Sequence, residues 1–212
     1  MTKFLIIDTE TSGLFDFSKP ADADGQPRLA ELTGILFDTD AADPDEVSTI
    51  HHLVRPDGWS MSAEASAVNG LTDEILAEKG QPIGEVLDVY CGLVQAGYIV
   101  VAHNAQYDTK VMRGELRRLG RPDLFEQTPN ICTMRSSTDI CRVPKAGGRA
   151  GWKFPKLEEA YRHFTGESLP AVEGSKALRD TRGCFVVFKF LLAQGALPDA
   201  QVHYAKHRPE AA

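Results

Sequence analysis

The sequence has none of the staples that a small protein uses in place of a core. Its four cysteines, Cys91, Cys132, Cys141 and Cys184, include no C-x-x-C pair, which argues against a disulfide scaffold or a cysteine-ligated zinc and predicts reduced thiols. Long hydrophobic runs are missing as well. Near the N-terminus Phe4-Leu5-Ile6-Ile7 gives only four apolar residues before Asp8, too few for a secretory signal or a membrane span, so a soluble, cytoplasmic protein without a membrane partner is expected. There is no excess of positive charge. The 23 Lys and Arg face 30 Asp and Glu, for a formal net charge of -7, which argues against coating nucleic acid through many simultaneous phosphate contacts. Such a balance still permits a protein that takes its positive charge from bound divalent cations. Internal repeats and low-complexity segments are also absent, and 212 residues, 42% hydrophobic and 25% charged, suffice for one domain with a sheet covered by helices.

Hydrophobic patterning supplies the elements. Phe4 to Ile7 reads as a buried central strand, and Leu29 to Phe37 and Ile50 to Val54 read as two more, most simply an antiparallel meander. Ser62 to Lys79 is helical in pattern, interrupted near Asn69-Gly70, with Thr72 as the N-cap of its second half. Helices are expected over Ile83 to Gln95, after His103-Asn104, over Leu157 to Phe164 and over Ala177 to Leu192; Tyr98 to Ala102 is another strand, with a short one beyond it. Arg142 to Lys153 reads as a mobile loop, Asp38 to Glu46 as a solvated acidic connection, and the polar stretch after Gly195 as a loosely docked tail. The expected division is a domain over residues 1–195 and a tail over 196–212.

Asp8-Thr9-Glu10 ends the first strand. Side chains two apart on a strand project to the same face, so both carboxylates meet one spot and repel unless a cation lies between them. A D-x-E at a strand end is weakly specific alone. Two further acids strengthen it: Asp108, just beyond the strand ending at Ala102, and Asp180, within the last amphipathic helix. Four acids suit a pair of hard divalent cations about 3.5–4 Å apart, acting on a phosphodiester.

These residues lie in recognisable surroundings. Phe4-Leu5-Ile6-Ile7-Asp8-Thr9-Glu10-Thr11-Ser12-Gly13-Leu14 resembles the first motif of the DEDD (DnaQ-like) 3'–5' exonuclease superfamily, which includes proofreading exonucleases and ribonuclease T. Val101-Ala102-His103-Asn104-Ala105-Gln106-Tyr107-Asp108 is similar to its second motif and Ala177-Leu178-Arg179-Asp180-Thr181-Arg182 to its third. Asn69-Gly70-Leu71-Thr72 and Lys156-Leu157-Glu158-Glu159-Ala160-Tyr161 match intervening segments, so the resemblance runs from about residue 3 to 193. It implies an α/β, ribonuclease H-like fold: a mixed five-stranded sheet, with a three-strand antiparallel meander plus parallel strands, flanked by helices. It implies that Asp8, Glu10, Asp108 and Asp180 bind two magnesium ions, with manganese able to substitute. Leu14 and the backbone near Thr11 would contact the terminal nucleotide. For Leu14, stacking on a base and capping the core are both open readings, and His103 and Asn104 would either touch the substrate strand or bond the strand end. Tyr107 is expected to pack. The implied partners are single-stranded DNA or RNA 3' ends and a polymerase or repair complex.

The sequence departs from the pattern at one place. The main branch has a histidine base five residues before the last aspartate and a second branch a tyrosine four residues before it; here those positions hold Ser175 and Lys176. Three explanations follow: Lys176 acts, as a base if its pKa is lowered or as a cation that orients water or phosphate; Ser175 marks a lost base, and hydrolysis is slowed by about 10²–10⁴-fold; or His163, His203 or His207 reaches the site. The functional expectation is a metal-dependent exonuclease releasing nucleoside monophosphates, the alternative a catalytically weakened module that binds nucleic acid ends or a polymerase or repair partner. Arg142, Lys145, Arg149, Lys153 and Lys156, interleaved with Trp152 and Phe154, suit either a strand-binding rim or an ordinary solvated loop, whereas Arg113, Arg117, Arg118 and Arg121 read as a solvated helix face.

Overall fold

The structure, a computed structural model, describes residues 2–40, 48–124, 128–198 and 200. Its sheet is built on β1 (Lys3–Thr11), in which Leu5 and Ile7 face one way, Phe4 and Ile6 the other, and all four are buried. A strand covered on both faces has this composition. β2 (Leu29–Asp38) and β3 (Ser48–Leu53) follow as an antiparallel meander, while β4 (Ile99–Ala102) and β5 (Asn130–Cys132) join in parallel beyond β1. The order β3-β2-β1-β4-β5 is the expected mixed five-stranded sheet flanked by helices.

β1 is longer than its apolar run. Pairing with β2 continues through Asp8 opposite Thr33 and Glu10 opposite Glu31, and the register shifts only between Glu10 and Thr11. Both acids therefore belong to the strand rather than to the turn after it, and the bulge that ends the pairing lies beside them, where it can re-aim side chains.

The helices are α1 (Ala63–Asn69), α2 (Asp73–Lys79), α3 (Ile83–Gln95), α4 (Ala105–Arg118), α5 (Thr133–Ser136), α6 (Thr138–Cys141), α7 (Leu157–Thr165) and α8 (Lys176–Ala193). The break between α1 and α2 falls at Gly70, whose φ of 75° closes α1, and Thr72 Oγ1 accepts from the Ile75 N–H at 3.4 Å as the expected cap. Against one face of the sheet, Leu5 and Ile7 pack with Val86 and Leu87 of α3 and Val111 and Leu116 of α4. On the other face Phe4, Ile6 and Phe37 pack with Phe185 and Phe188 of α8; the Phe4 and Phe188 rings are 4.8 Å apart. Each fully buried side chain of this kind contributes roughly 1.5–3 kcal/mol. Gly183 lets α8 lie close against Leu169 in the segment after α7, because a Cβ there would stand 2.5 Å from a Leu169 methyl. On the opposite helix layer Glu115, 1% exposed, takes a two-pronged bond from Arg28 as well as bonds from Arg118 and the Leu29 N–H, clamping α4 to the start of β2.

Residues 142–153 are more structured than a plain loop: a 3-10 turn over Ala146–Gly148 is closed by a bridge between Pro144 and Trp152. All four cysteines are free thiols, and no helix among the described residues is long and apolar enough to cross a membrane. Most of the acidic connection at 38–46, and the tail beyond residue 200 with His203 and His207, lie outside the described residues.

Candidate active site

Three elements converge beyond the end of β1. Asp8 and Glu10 lie on its α8-facing side, Glu10 only 8% exposed. Asp108 comes from the first turn of α4, and the chain reaches that helix through Asn104, which takes a left-handed conformation at φ 81° so that β4 can turn sharply. Asn is among the few residues that accept this. Asp108 is 3% exposed, and Thr9 donates its hydroxyl to Asp108 Oδ1 at 2.9 Å, fixing the carboxylate from the other side of β1. Asp180 comes from α8, tied to β2 by the hydrogen bond between Thr181 and Thr33.

The charges are out of balance. Burial pushes the Asp8 carboxyl well above the ordinary carboxylate range, and the charges of Asp108, Glu10 and Asp180 push it further, against a smaller lowering by Lys176. Asp108 is pushed up to about 7, chiefly by burial, with bonds from Thr9 and from backbone N–H groups opposing and Glu10 adding. Burial raises Glu10 too, although the Lys176 hydrogen bond and charge offset part of it.

Two cations meet the acids: the Arg179 guanidinium, 3.4 Å from Asp180 Oδ1, and Lys176. Its Nζ lies 2.7 Å from Glu10 Oε1 and 3.1 Å from Asp180 Oδ2. Burial alone would lower its pKa, but the Glu10 hydrogen bond and the charges of Glu10, Asp180 and Asp8 outweigh it and hold the ammonium above its ordinary range. With no metal ion among the acids, these contacts favour the cation reading of Lys176 over its reading as a base. Ser175 has a structural role of its own. It is the N-cap of α8, its Oγ accepting from the Leu178 N–H at 3.2 Å. His163 is exposed on α7, its ring edge-on to Phe164, with no polar contact to the acids.

Around the acids, Thr11 donates to the Gly13 carbonyl at 2.6 Å and shares a 2.7 Å hydrogen bond with the Tyr107 hydroxyl, while Tyr107 packs edge-on to Phe15. This bracing presents Leu14 at 89% exposure, so Leu14 caps no core. Both ring nitrogens of His103 are engaged, Nδ1 with Thr133 Oγ1 and Nε2 with the Pro155 carbonyl, each at 3.0 Å, which secures the 142–156 segment to the end of β4. In that segment Trp152 and Phe154 are 40% and 54% exposed, so neither is sunk in the core, and the Arg135 guanidinium lies over the Phe154 ring. Lys153 is tied to Glu159 of α7. Arg113 and Arg117 pair with Asp123, Arg118 with Glu115 and Arg121 with Asp88, so that helix face is a set of ion pairs rather than free positive charge.

One acid of this region is not singled out by the sequence. Glu31, fully buried, sits opposite Glu10 and hence on its face of the sheet; its Oε1 is 2.7 Å from His51 Nε2, and its Oε2 has no hydrogen-bond partner among the described residues. A single acid inside the apolar run Leu29 to Phe37 was the available signal.

Whether this site suits a metal rests on its donors. Hard carboxylate oxygens from four acids, set against the Lys176 ammonium and the Arg179 guanidinium at Asp180, suit a hard divalent cation. Among the described residues no three His, Cys, Asp or Glu side chains already stand close enough together to hold an ion, and Lys176 takes one oxygen each of Glu10 and Asp180.

A ribonuclease H-like sheet with a carboxylate centre at the end of its first strand defines a nuclease architecture. The family model described as "Exonuclease", of the RNase T type, matches residues 5–170, and the chain belongs to that family, within the DEDD (DnaQ-like) superfamily. The match ends before Asp180. The chain is 28% identical over 193 residues to DNA polymerase III subunit epsilon of Treponema pallidum, covering 91% of this chain and 78% of that protein. It is 31% identical over 151 residues to the PolC-type DNA polymerase III of Thermotoga petrophila, covering 68% of this chain but only 10% of that much longer polymerase. Among solved structures, E. coli exonuclease I in complex with a dT13 oligonucleotide superposes with a TM-score of 0.68 at 17% identity, over 90% of this chain and 41% of the other. The nuclease domain of 3'hExo, a DEDDh family member bound to rAMP, gives 0.68 at 14% identity over 94% and 97%.

Proposed function

We propose that the chain is a divalent-metal-dependent 3'–5' exonuclease that hydrolyses the terminal phosphodiester of single-stranded nucleic acid and releases nucleoside monophosphates. The observation that carries this is the convergence of Asp8, Glu10, Asp108 and Asp180 from three elements on one site, with carboxylates driven upward by burial and mutual repulsion. These four would hold the divalent metal of the reaction, magnesium with manganese able to substitute; when bound, such a metal polarises the phosphoryl oxygens and lowers the pKa of bound water.

The chain's own residues account for the rest. Thr9 keeps the Asp108 carboxylate in one orientation, and α8, capped by Ser175, sets Asp180 against β1. Leu14, braced through Thr11 and Tyr107, offers an apolar surface on which a terminal base stacks without being read. Trp152 and Phe154, flanked by Arg142, Lys145, Arg149 and Lys156, form a rim for the strand behind it. His103 and Asn104 fix the turn through which α4 carries Asp108. Lys176, held as a cation by Glu10 and Asp180, stabilises phosphate oxygen or orients water. Likeness to subunit epsilon and to the polymerase-embedded domain supports work beside a polymerase or repair complex in the cytoplasm.

The test is degradation of a 5'-labelled single-stranded oligonucleotide on a sequencing gel. Wild-type protein with Mg²⁺ or Mn²⁺ makes a ladder shortening from the 3' end, which EDTA and Asp8→Ala each abolish. A ladder that survives Asp8→Ala sinks the assignment.

A further inference from the structure

The four carboxylates already contain one cation, and it is part of the chain. Lys176 begins α8 one turn before Asp180, so its side chain and that of Asp180 share a helix face, and across the gap Glu10 meets it from β1. Contacts of 2.7 and 3.1 Å put the ammonium on one carboxylate oxygen each of Glu10 and Asp180, donors that a divalent ion held by both acids would also need. A divalent ion of magnesium size needs those oxygens at about 2.0–2.1 Å and in near-octahedral array, so ammonium and ion exclude each other there. Among the described residues Asp8 and Asp108 have no such contact with the lysine: the Asp108 carboxylate accepts from Thr9, and no side-chain hydrogen bond joins Asp8 to a donor. Glu10 is the buried member of the pair, 10% exposed at its side chain, while the lysine reaches it from the solvent side, 38% exposed.

We propose that Lys176 is a tethered substitute for one of the two cations, occupying the seat between Glu10 and Asp180, so that the free protein takes up one divalent ion and loss of the ammonium opens a second place. This rests on the divalent-metal reading of the four acids. It changes what the site is: a one-ion centre with a built-in monovalent charge, in which Ser175 and Lys176 together replace the family's base-bearing segment with a cap and a counter-ion.

The test counts ions without turnover. Titration of full-length protein with Mn²⁺, followed by the electron paramagnetic resonance signal of the free ion, gives bound ions per chain; the Asp8→Ala/Asp108→Ala double variant supplies the background of surface carboxylates. Wild type is expected to bind one ion above background and Lys176→Met two, whereas Lys176→Arg, which keeps a cation, stays at one. Lys176→Gln repeats the measurement if the Met variant is misfolded by circular dichroism. Equal counts in wild type and the Met or Gln variant, or two ions in wild type, overturn the proposal and leave the metal reading intact. No binding above background in any variant overturns both.

Discussion

Replacing Asp108 by Asn should make the metal-free protein more stable. In the folded state the Asp108 carboxyl is pushed up to about 7, against an ordinary value of 3.8, mainly because it is buried. A folded-state pKa above the unfolded one gives stability that is fully present below pH ~4 and is lost as pH rises through 7. At roughly 1.4 kcal/mol for each pKa step of one, the ceiling of that loss is on the order of 4 kcal/mol. Because Asp8 and Asp108 repel each other, part of it belongs to the pair, and about 2 kcal/mol is the expected gain on neutralising Asp108 alone. For a domain of this size that is about 4–8 °C in Tm. Asn retains an acceptor for the Thr9 hydroxyl, so the local bonding survives. Thermal unfolding followed by circular dichroism in EDTA should show Asp108→Asn above wild type at pH 8 and level with it near pH 4, with the gap opening between. Added Mg²⁺ should close the gap by stabilising wild type more. An Asn variant equal to or less stable than wild type in EDTA at pH 8 refutes the electrostatic reasoning.

Other consequences are simpler. Ser175→Ala removes the cap of α8 and should cost about 1 kcal/mol, or about 2–4 °C in Tm; an unchanged Tm would show that the cap contributes nothing. Leu14→Ala should leave Tm unaltered, since the side chain is 89% exposed, yet weaken binding of a single-stranded oligonucleotide by about 5–150-fold if one stacked base is worth ~1–3 kcal/mol; fluorescence anisotropy with an uncleavable phosphorothioate end checks this. Glu115→Ala strands Arg28 and Arg118 against α4 and should cost about 3–5 kcal/mol by urea unfolding, against less than about 0.5 kcal/mol for an exposed acid such as Glu64.

The strands and long helices were legible because β1 opens as a continuous apolar run suited to a strand covered on both faces, while apolar residues in α3, α4 and α8 recur every three to four positions. The four acids were legible because spacing alone puts Asp8 and Glu10 on one face and the ordered motifs supply Asp108 and Asp180. What the sequence did not reveal depends on register. Glu31 reaches Glu10 only because β2 pairs with β1 as it does, and Lys176 meets Glu10 across 166 positions of chain. Ser175 looked like the vacancy of a missing base; as the last extended residue before α8 it is a cap, a role fixed by where the helix begins. The pKa of Lys176 likewise depends on how many carboxylates surround it, which local sequence does not count.

The central claim is that these carboxylates form a metal-dependent centre that cuts from the 3' end. Release of the terminal nucleotide tests it most directly: a single-stranded oligonucleotide carrying a radiolabel in its last internucleotide phosphate, incubated with wild type and Asp180→Asn in Mg²⁺ or EDTA, with products resolved by thin-layer chromatography. The account predicts labelled mononucleotide as the first product, formed by wild type in Mg²⁺ only. Label appearing first in longer fragments, or as mononucleotide at an undiminished rate in EDTA or with Asp180→Asn, would contradict it.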